Sequence, residues 1–299
     1  MKRSTGADIV FVSITLLWGT SFALAKGALV WVTPALFVAM RFAVAGVVWL
    51  ALYGSCLKDL KPGTWSRGLA LGAVLGAGFV FQTAGLEDTG ASMTGFLTGL
   101  TVAIVPLLVI AIERTLPRVT SVAGVLLCIL GLWVLTSPQG TGLGTGDLLV
   151  LVGAFFFALY IVFVEMFTAD YDTRALTLIQ AVGILVVAVP GILLVESPAV
   201  EFTWAFTWRW LALGLMAAVT LALQIHWQRY ISATRAAVII TLQTPLSALF
   251  AFLLLAEVLP PAAYLGGGLI FLGTLVAEGG ARLLPPRTRR KERAGHGAD

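Results

Sequence analysis

Arg67-Gly68-Leu69-Ala70-Leu71-Gly72 is followed, with nine residues intervening, by Gln82, and Arg209-Trp210-Leu211-Ala212-Leu213-Gly214 is followed at the same spacing by Gln224. The second phrase begins 142 positions after the first in a chain of 299 residues, and both copies sit inside long apolar runs. Self-similarity of that period divides the chain into two related halves. In a membrane chain, two related halves with a site between them are the build of many transporters.

The repeat extends outward from that phrase. Asp8 opens one apolar run and Asp147 another; at that same offset of 139, Trp18 matches Phe157, Lys26 matches Glu165 and Arg41 matches Gln180. Later, Glu113-Arg114-Thr115-Leu116-Pro117 is echoed by Glu257-Val258-Leu259-Pro260, and Gly124/Gly131 by Gly266/Gly273, each pair seven apart. These matches predict halves at 1–139 and 140–284, followed by a basic, proline-containing, disordered tail over 285–299.

Composition fixes the solvent. The chain is 59% hydrophobic and 11% charged, with a mean hydropathy of +0.97, whereas an ordinary soluble domain carries roughly 25% charge. So much apolar surface cannot be hidden in one soluble core, and the expected fold is an all-α polytopic membrane protein. Ten apolar segments are long enough to cross a bilayer core of about 20 residues' length: near 8–29, 34–54, 67–86, 90–112, 119–137, 147–167, 174–195, 209–229, 235–256 and 262–283. With ten spans and both termini cytoplasmic, all of the 19 Lys and Arg except Lys26, Arg41 and Arg209 fall on the inner side, while Glu87, Asp88, Glu196, Glu201 and Glu257 fall outside. That asymmetry is the positive-inside pattern. Five spans per half is an odd number, so the second half enters the membrane from the opposite side and the two repeats are inverted.

Several classes of function find no support. The basic residues lie between apolar runs and in the tail, a membrane-orientation pattern rather than a nucleic-acid face. Cys56 and Cys128 form no motif, only His226 and His296 could add imidazole ligands, and neither metal nor cofactor is implied. Clustered acids and bases that an enzyme would need are missing. The run Gly140-Thr141-Gly142-Leu143-Gly144-Thr145-Gly146-Asp147 superficially suggests a phosphate loop, but no strand precedes it and no Lys follows. It reads as a connector between halves, with Asp147 capping the sixth helix. No cleavable signal follows Met1-Lys2-Arg3, since the first apolar run is long enough to remain as a helix.

Polar residues within spans are costly, and each calls for a reason. Gln82 and Gln224 serve either to hydrogen-bond a polar solute or to tie helices within each half. Arg41 either snorkels to an interface or lines a water-filled path toward an anionic group. Its match to Gln180 shows that the scaffold does not require the charge. Lys26 marks an outer interface, and Glu113 and Glu165 sit near the inner end beside basic loops. His226 is either a proton shuttle or an interfacial histidine. Trp18, next to Gly19-Thr20-Ser21, suits a helix facing a cavity, for which Phe79 and Tyr160 supply further walls. Ser92, Thr94, Thr98 and Thr101 precede Pro106, and Thr241, Gln243 and Thr244 precede Pro245. Proline frees a backbone carbonyl in a span, so bends at matching places in the fourth and ninth helices point to a central site. Gly124/Gly131 and Gly266/Gly273 are expected to pack the fifth helix on the tenth, and the oligomeric state stays open.

Trp18-Gly19-Thr20-Ser21-Phe22, Arg41-Phe42, Pro106-Leu107-Leu108 and Thr244-Pro245 through Glu257 together resemble the EamA-type transporters of the drug/metabolite transporter superfamily, over about 8–283. The resemblance implies ten helices around a central cavity, alternating access, and a multi-pass protein of a bacterial-type inner membrane. Members include exporters of amino acids, aromatic ones among them; distant relatives carry nucleotide sugars and sugar phosphates. Its motifs do not name a substrate. Apolar walls with uncharged hydrogen-bonding groups suit a hydrophobic amino acid better than a doubly charged phosphate ester. The expected function is export of small metabolites, amino acids first, with an organophosphate or nucleotide-sugar carrier as the alternative and a non-transport membrane enzyme or scaffold as the reading of another class.

Overall fold

The structure, a computed structural model, describes residues 3–58, 60–113, 119–136 and 143–279. Among them the chain forms twelve α-helices: α1 Arg3–Ala28, α2 Pro34–Tyr53, α3 Thr64–Asp88, α4 Ala91–Gly99, α5 Thr101–Glu113, α6 Val119–Thr136, α7 Thr145–Thr168, α8 Thr173–Leu194, α9 Trp204–Gln228, α10 Ala233–Ile240, α11 Gln243–Leu255 and α12 Pro261–Gly279. No β-strand occurs among the described residues, only an isolated antiparallel bridge between Val32 and Val200. Eight stretches are long and apolar enough to cross a membrane, with α4–α5 counted as one and α10–α11 as another; α6 and α12 contain shorter apolar runs, Val122–Val134 and Pro261–Gly273. The protein is an all-helical polytopic membrane protein. Leu126, Leu130, Trp133, Leu193, Leu253 and Leu265 are typical of its exposed residues, a surface suited to hydrocarbon.

Local signals set the helix ends. Pro34 opens α2, where its missing N–H costs nothing. Asp172, Thr203 and Ser232 cap α8, α9 and α10 by accepting from Arg174 N, Phe206 N and Arg235 N. Asp147 stands at the third residue of α7 rather than at its cap. From there one carboxylate oxygen accepts from Gly144 N at 3.0 Å and the other from Thr89 Oγ1 at 2.9 Å. The connector at 137–142, the loop at 114–118 and the tail at 285–299 lie outside the described residues.

The fourth and ninth segments are each interrupted, but not at their prolines. The break between α4 and α5 falls at Leu100, and that between α10 and α11 at Thr241-Leu242. Proline lacks the N–H that would pair with the carbonyl four residues earlier. Pro245 therefore leaves Thr241 O without its helical partner, and that oxygen accepts from Thr244 N at 2.9 Å instead, in a tighter turn. Leu100 O is shared between Ala103 N and Ile104 N, at 2.9 and 3.1 Å. The interruption thus lies N-terminal to each proline, and at Pro245 the rearranged bond is the one proline removes.

Packing is dominated by α3. A Cβ at Gly72 would collide with Gln180 O, one at Gly76 would lie 2.9 Å from Ile184 Cα, and one at Gly78 2.8 Å from the Phe157 ring. Gly85 similarly abuts Gly146 O. Side chains this small let α3 lie flush on α7 and α8. The α6–α12 pair is built in the same way. A Cβ at Gly131 would stand 2.7 Å from Gly266 O, and one at Gly273 2.7 Å from Gly124 O.

Candidate functional site

A cavity runs between the helices at mid-height, with walls from α1, α2, α3, α4, α5, α7, α9, α10 and α11. The volume open to water-sized molecules is about 60 Å³, room for several waters. Trp18, Arg41, Phe79, Gln82, Thr98, Thr101, Tyr160, Gln224 and Gln243 all line it. Gln180 stands behind the wall, where its Oε1 accepts from Tyr160 Oη at 3.1 Å. Ser21, Phe22, Leu75, Phe157, Ile161, Leu221 and Ile240 complete the lining. Most of these additional residues are apolar, and nothing in a span's composition separates a cavity-facing Leu or Ile from a lipid-facing one. Phe157 did carry a signal, its repeat match to Trp18.

Most of the polar wall is tied into the scaffold. Gln82 Nε2 donates to Thr98 Oγ1 at 2.9 Å, joining α3 to α4. Trp18 Nε1 donates to Thr220 Oγ1 at 3.0 Å, joining α1 to α9, and Thr101 Oγ1 donates to Ala154 O at 3.2 Å, joining α5 to α7. A longer relay passes from Gln224 Nε2 to Gln228 Oε1 at 3.3 Å, then from Gln228 Nε2 to Ile161 O at 2.6 Å. Neutral hydrogen bonds of this kind each stabilise by about 1 kcal/mol and cost more when only one partner is lost. They fix the shape of the cavity.

Two buried polar groups on the wall are left over. Gln224 Oε1 and Arg41 Nε have no hydrogen-bond partner among the described residues. Arg41 does not snorkel: it is only 5% exposed. Its guanidinium lies over the rings of Phe79 and Phe42, 5.0 and 5.8 Å from the centroids. The other two cations assigned outside the inner side, Lys26 and Arg209, lie near helix ends and are occupied. Lys26 Nζ donates to Leu86 O, Glu87 O and Thr89 O at 2.8, 2.8 and 3.1 Å, closing the C-terminal end of α3. Arg209 donates to Ala205 O at 2.6 Å and lies over Trp208 and Trp31.

His226 is exposed at the last turn of α9, outside the cavity, with Nδ1 3.5 Å from Thr173 Oγ1 and its ring against Trp227 and Tyr230. At the end of the bundle where α2 and α4 begin, carboxylates from elsewhere in the chain meet helix N-termini. Glu196 accepts from Ala35 N and Leu36 N, at 2.7 and 3.4 Å, and Glu257 from Ala91 N and Ser92 N, at 3.0 and 3.2 Å. At the opposite end Glu165 accepts from Ala233 N at 2.7 Å, and Arg235 pairs with Asp8 at 2.6 Å. Carboxylates favour the positive end of the helix dipole, and sequence spacing alone could not say which helix each would reach.

The sequence pattern of the EamA-like transporter family matches this chain twice, over residues 5–137 and 144–278. The chain belongs to that family. An uncharacterized transporter of Archaeoglobus fulgidus is 28% identical over 272 residues, covering 91% of this chain and 85% of its own. A crystal structure 21% identical in sequence superposes with a TM-score of 0.69, across 93% of this chain and 98% of the other. That likeness concerns the fold. Family membership and the archaeal relative make this EamA-like protein a membrane transporter, and the mid-height cavity is the candidate place for its cargo.

Proposed function

We propose that the protein exports small metabolites, amino acids foremost, across a bacterial-type inner membrane by alternating access, with both termini cytoplasmic and the two repeats inverted about an axis in the membrane plane. The observation that carries this reading is the cavity itself. It draws its lining from both halves of the chain, with aromatic walls at Trp18, Phe79, Phe157 and Tyr160 and uncharged hydrogen-bonding groups at Gln82, Gln224 and Gln243. Such a lining suits a solute with an apolar side chain and few charges. A doubly charged phosphate ester would call for clustered cations, and among the described residues Arg41 is the one Lys or Arg in the lining. The interrupted segments α4–α5 and α10–α11 both border the cavity, as expected of elements that move between two states.

Purified protein in liposomes, normalised to folded molecules, should accumulate or exchange a subset of the twenty amino acids, hydrophobic ones above small polar ones. Cells overproducing it should also tolerate toxic amino-acid analogues better than controls. Failure with every amino acid, by a preparation whose thermal unfolding remains cooperative, would rule out this substrate class. Reporter fusions at Gly140 and at the C-terminus test the inversion separately: the first should report outside and the second inside, and a shared side would exclude inverted repeats.

A further inference from the structure

We infer that Arg41 is the receptor for a substrate carboxylate, and that this transporter recognises its cargo by a single negative charge rather than by an ammonium group. This rests on the reading of the cavity as the transport site.

The charge of Arg41 is deeply placed. It follows Pro34 by seven residues, about 10 Å along α2, and it is 95% buried. Removing an ion from water costs several kcal/mol unless a partner compensates, and a charged side chain within a span is retained for a function or a partner. Among the described residues Arg41 has neither a hydrogen bond nor an ion pair; the ion pairs present, Arg174–Asp172 and Arg235–Asp8, lie at helix ends. The faces of Phe79 and Phe42 compensate in part, but a ring face leaves the N–H donors at the edge of the guanidinium unused. Those donors form a planar fork that matches a carboxylate. The cavity that Arg41 lines contains no Asp or Glu. The missing counter-ion is therefore expected to arrive with the solute.

The same lining gives an ammonium group much less. Without a carboxylate in the wall, a cationic nitrogen meets neutral acceptors, such as the unpartnered Oε1 of Gln224, and ring faces of which Phe79 already carries Arg41, and it is repelled by that charge. A zwitterion is admitted through its carboxylate. The class that fits is thus a monocarboxylate with an apolar or aromatic body, of which hydrophobic amino acids are one branch; the α-amino group is tolerated rather than required.

A ligand series sharing one body decides the matter on the full-length protein: phenylalanine, 3-phenylpropionate, 2-phenylethylamine and 3-phenylpropanol, measured by binding titration and by competition for counterflow in liposomes. We expect 3-phenylpropionate to bind within a few-fold of phenylalanine, and the amine and the alcohol to bind about 10- to 100-fold more weakly, the factor set by a hydrogen bond to a charged group. Arg41→Gln should lose that margin for both carboxylates and leave the alcohol unchanged, with Arg41→Lys intermediate because a point charge lacks the fork. Should Arg41→Gln not fold, the wild-type series alone still decides. Amine binding as tight as that of the carboxylates, or unchanged carboxylate affinity in a folded Arg41→Gln, would overturn the role of Arg41 while leaving the transport reading in place. Should no member of the series, phenylalanine included, bind or move, both readings would fall together.

Discussion

α3 and α9 begin from the same sequence phrase and end up doing different work. Along α3 the phrase continues through Gly76, Gly78 and Gly85, and the helix lies flush on α7 and α8. At the corresponding positions α9 carries Ala218, Thr220 and Trp227, and only Gly214 matches Gly72. A Cβ at Gly214 would meet Val44 Cβ at 2.7 Å, a side chain, whereas one at Gly72 would run into backbone. Thr220 fills the place of a glycine and receives Trp18 Nε1. Glycine thus brings α3 onto its neighbours at several turns, whereas α9 keeps one such contact, at Gly214. The free Arg41 lies beside α9, its carbonyl 3.2 Å from a Cβ built at Gly214, whereas Gln180 at the matching position is pressed against α3 and bonded to Tyr160. The matched helices have diverged in how they pack and in what they leave of the residue facing them.

The largest effect should come from forcing α3 off its neighbours. Gly72→Leu forces apart two backbones and should abolish folded protein; the milder Gly72→Ala should cost about 1–3 kcal/mol, as overpacking does, read by thermal unfolding in detergent. Gly214→Ala meets Val44 Cβ at 2.7 Å but backbone only at 3.2 Å, at Arg41 O, and should cost less than Gly72→Ala. Equal losses at the two positions would break the comparison. Next come Gly131→Leu and Gly273→Leu, each aimed at the facing backbone of the α6–α12 pair. Both should reduce yield and stability sharply, and wild-type unfolding temperatures in both would refute that packing. Gln180→Ala strands the Tyr160 hydroxyl and should lower stability by about 1–2 kcal/mol, with transport per folded molecule unchanged, in contrast to Arg41→Gln. The smallest effect should be at Gln82. Gln82→Ala and Thr98→Val should each cost about 1 kcal/mol, and the double variant little more than either, because they remove the same bond. An apparent affinity lowered three- to ten-fold by Gln82→Ala but not by Thr98→Val would show instead that the amide contacts cargo directly.

Much of this was legible before any coordinates. The repeat phrase, the apolar runs and the paired glycines called for helices and for the face by which α6 meets α12, because small residues at a spacing of two turns leave few other packings. Trp18, Gln82, Thr98 and Gln243 were singled out as polar or bulky exceptions within spans, and all four border the cavity. Less legible were the helix breaks. Proline announces a lost hydrogen bond, but the breaks fall N-terminal to it, at Leu100 and at Thr241-Leu242. Position in the span set Lys26 apart, near the end of α1, but no spacing could say whether Arg41 would find a hydrogen-bond partner.

Composition and periodicity determined the solvent, the helical class and the twofold build, since these follow from how much apolar surface a chain carries and how often a pattern returns. Only the tertiary structure decided which polar groups are spent on the scaffold and which are left without a partner among the described residues. Lys26 finds three carbonyls, Arg209 finds Ala205 O, and Arg41 finds aromatic faces alone. That distinction depends on which atoms other helices bring within hydrogen-bonding reach, and no property of a single span contains it.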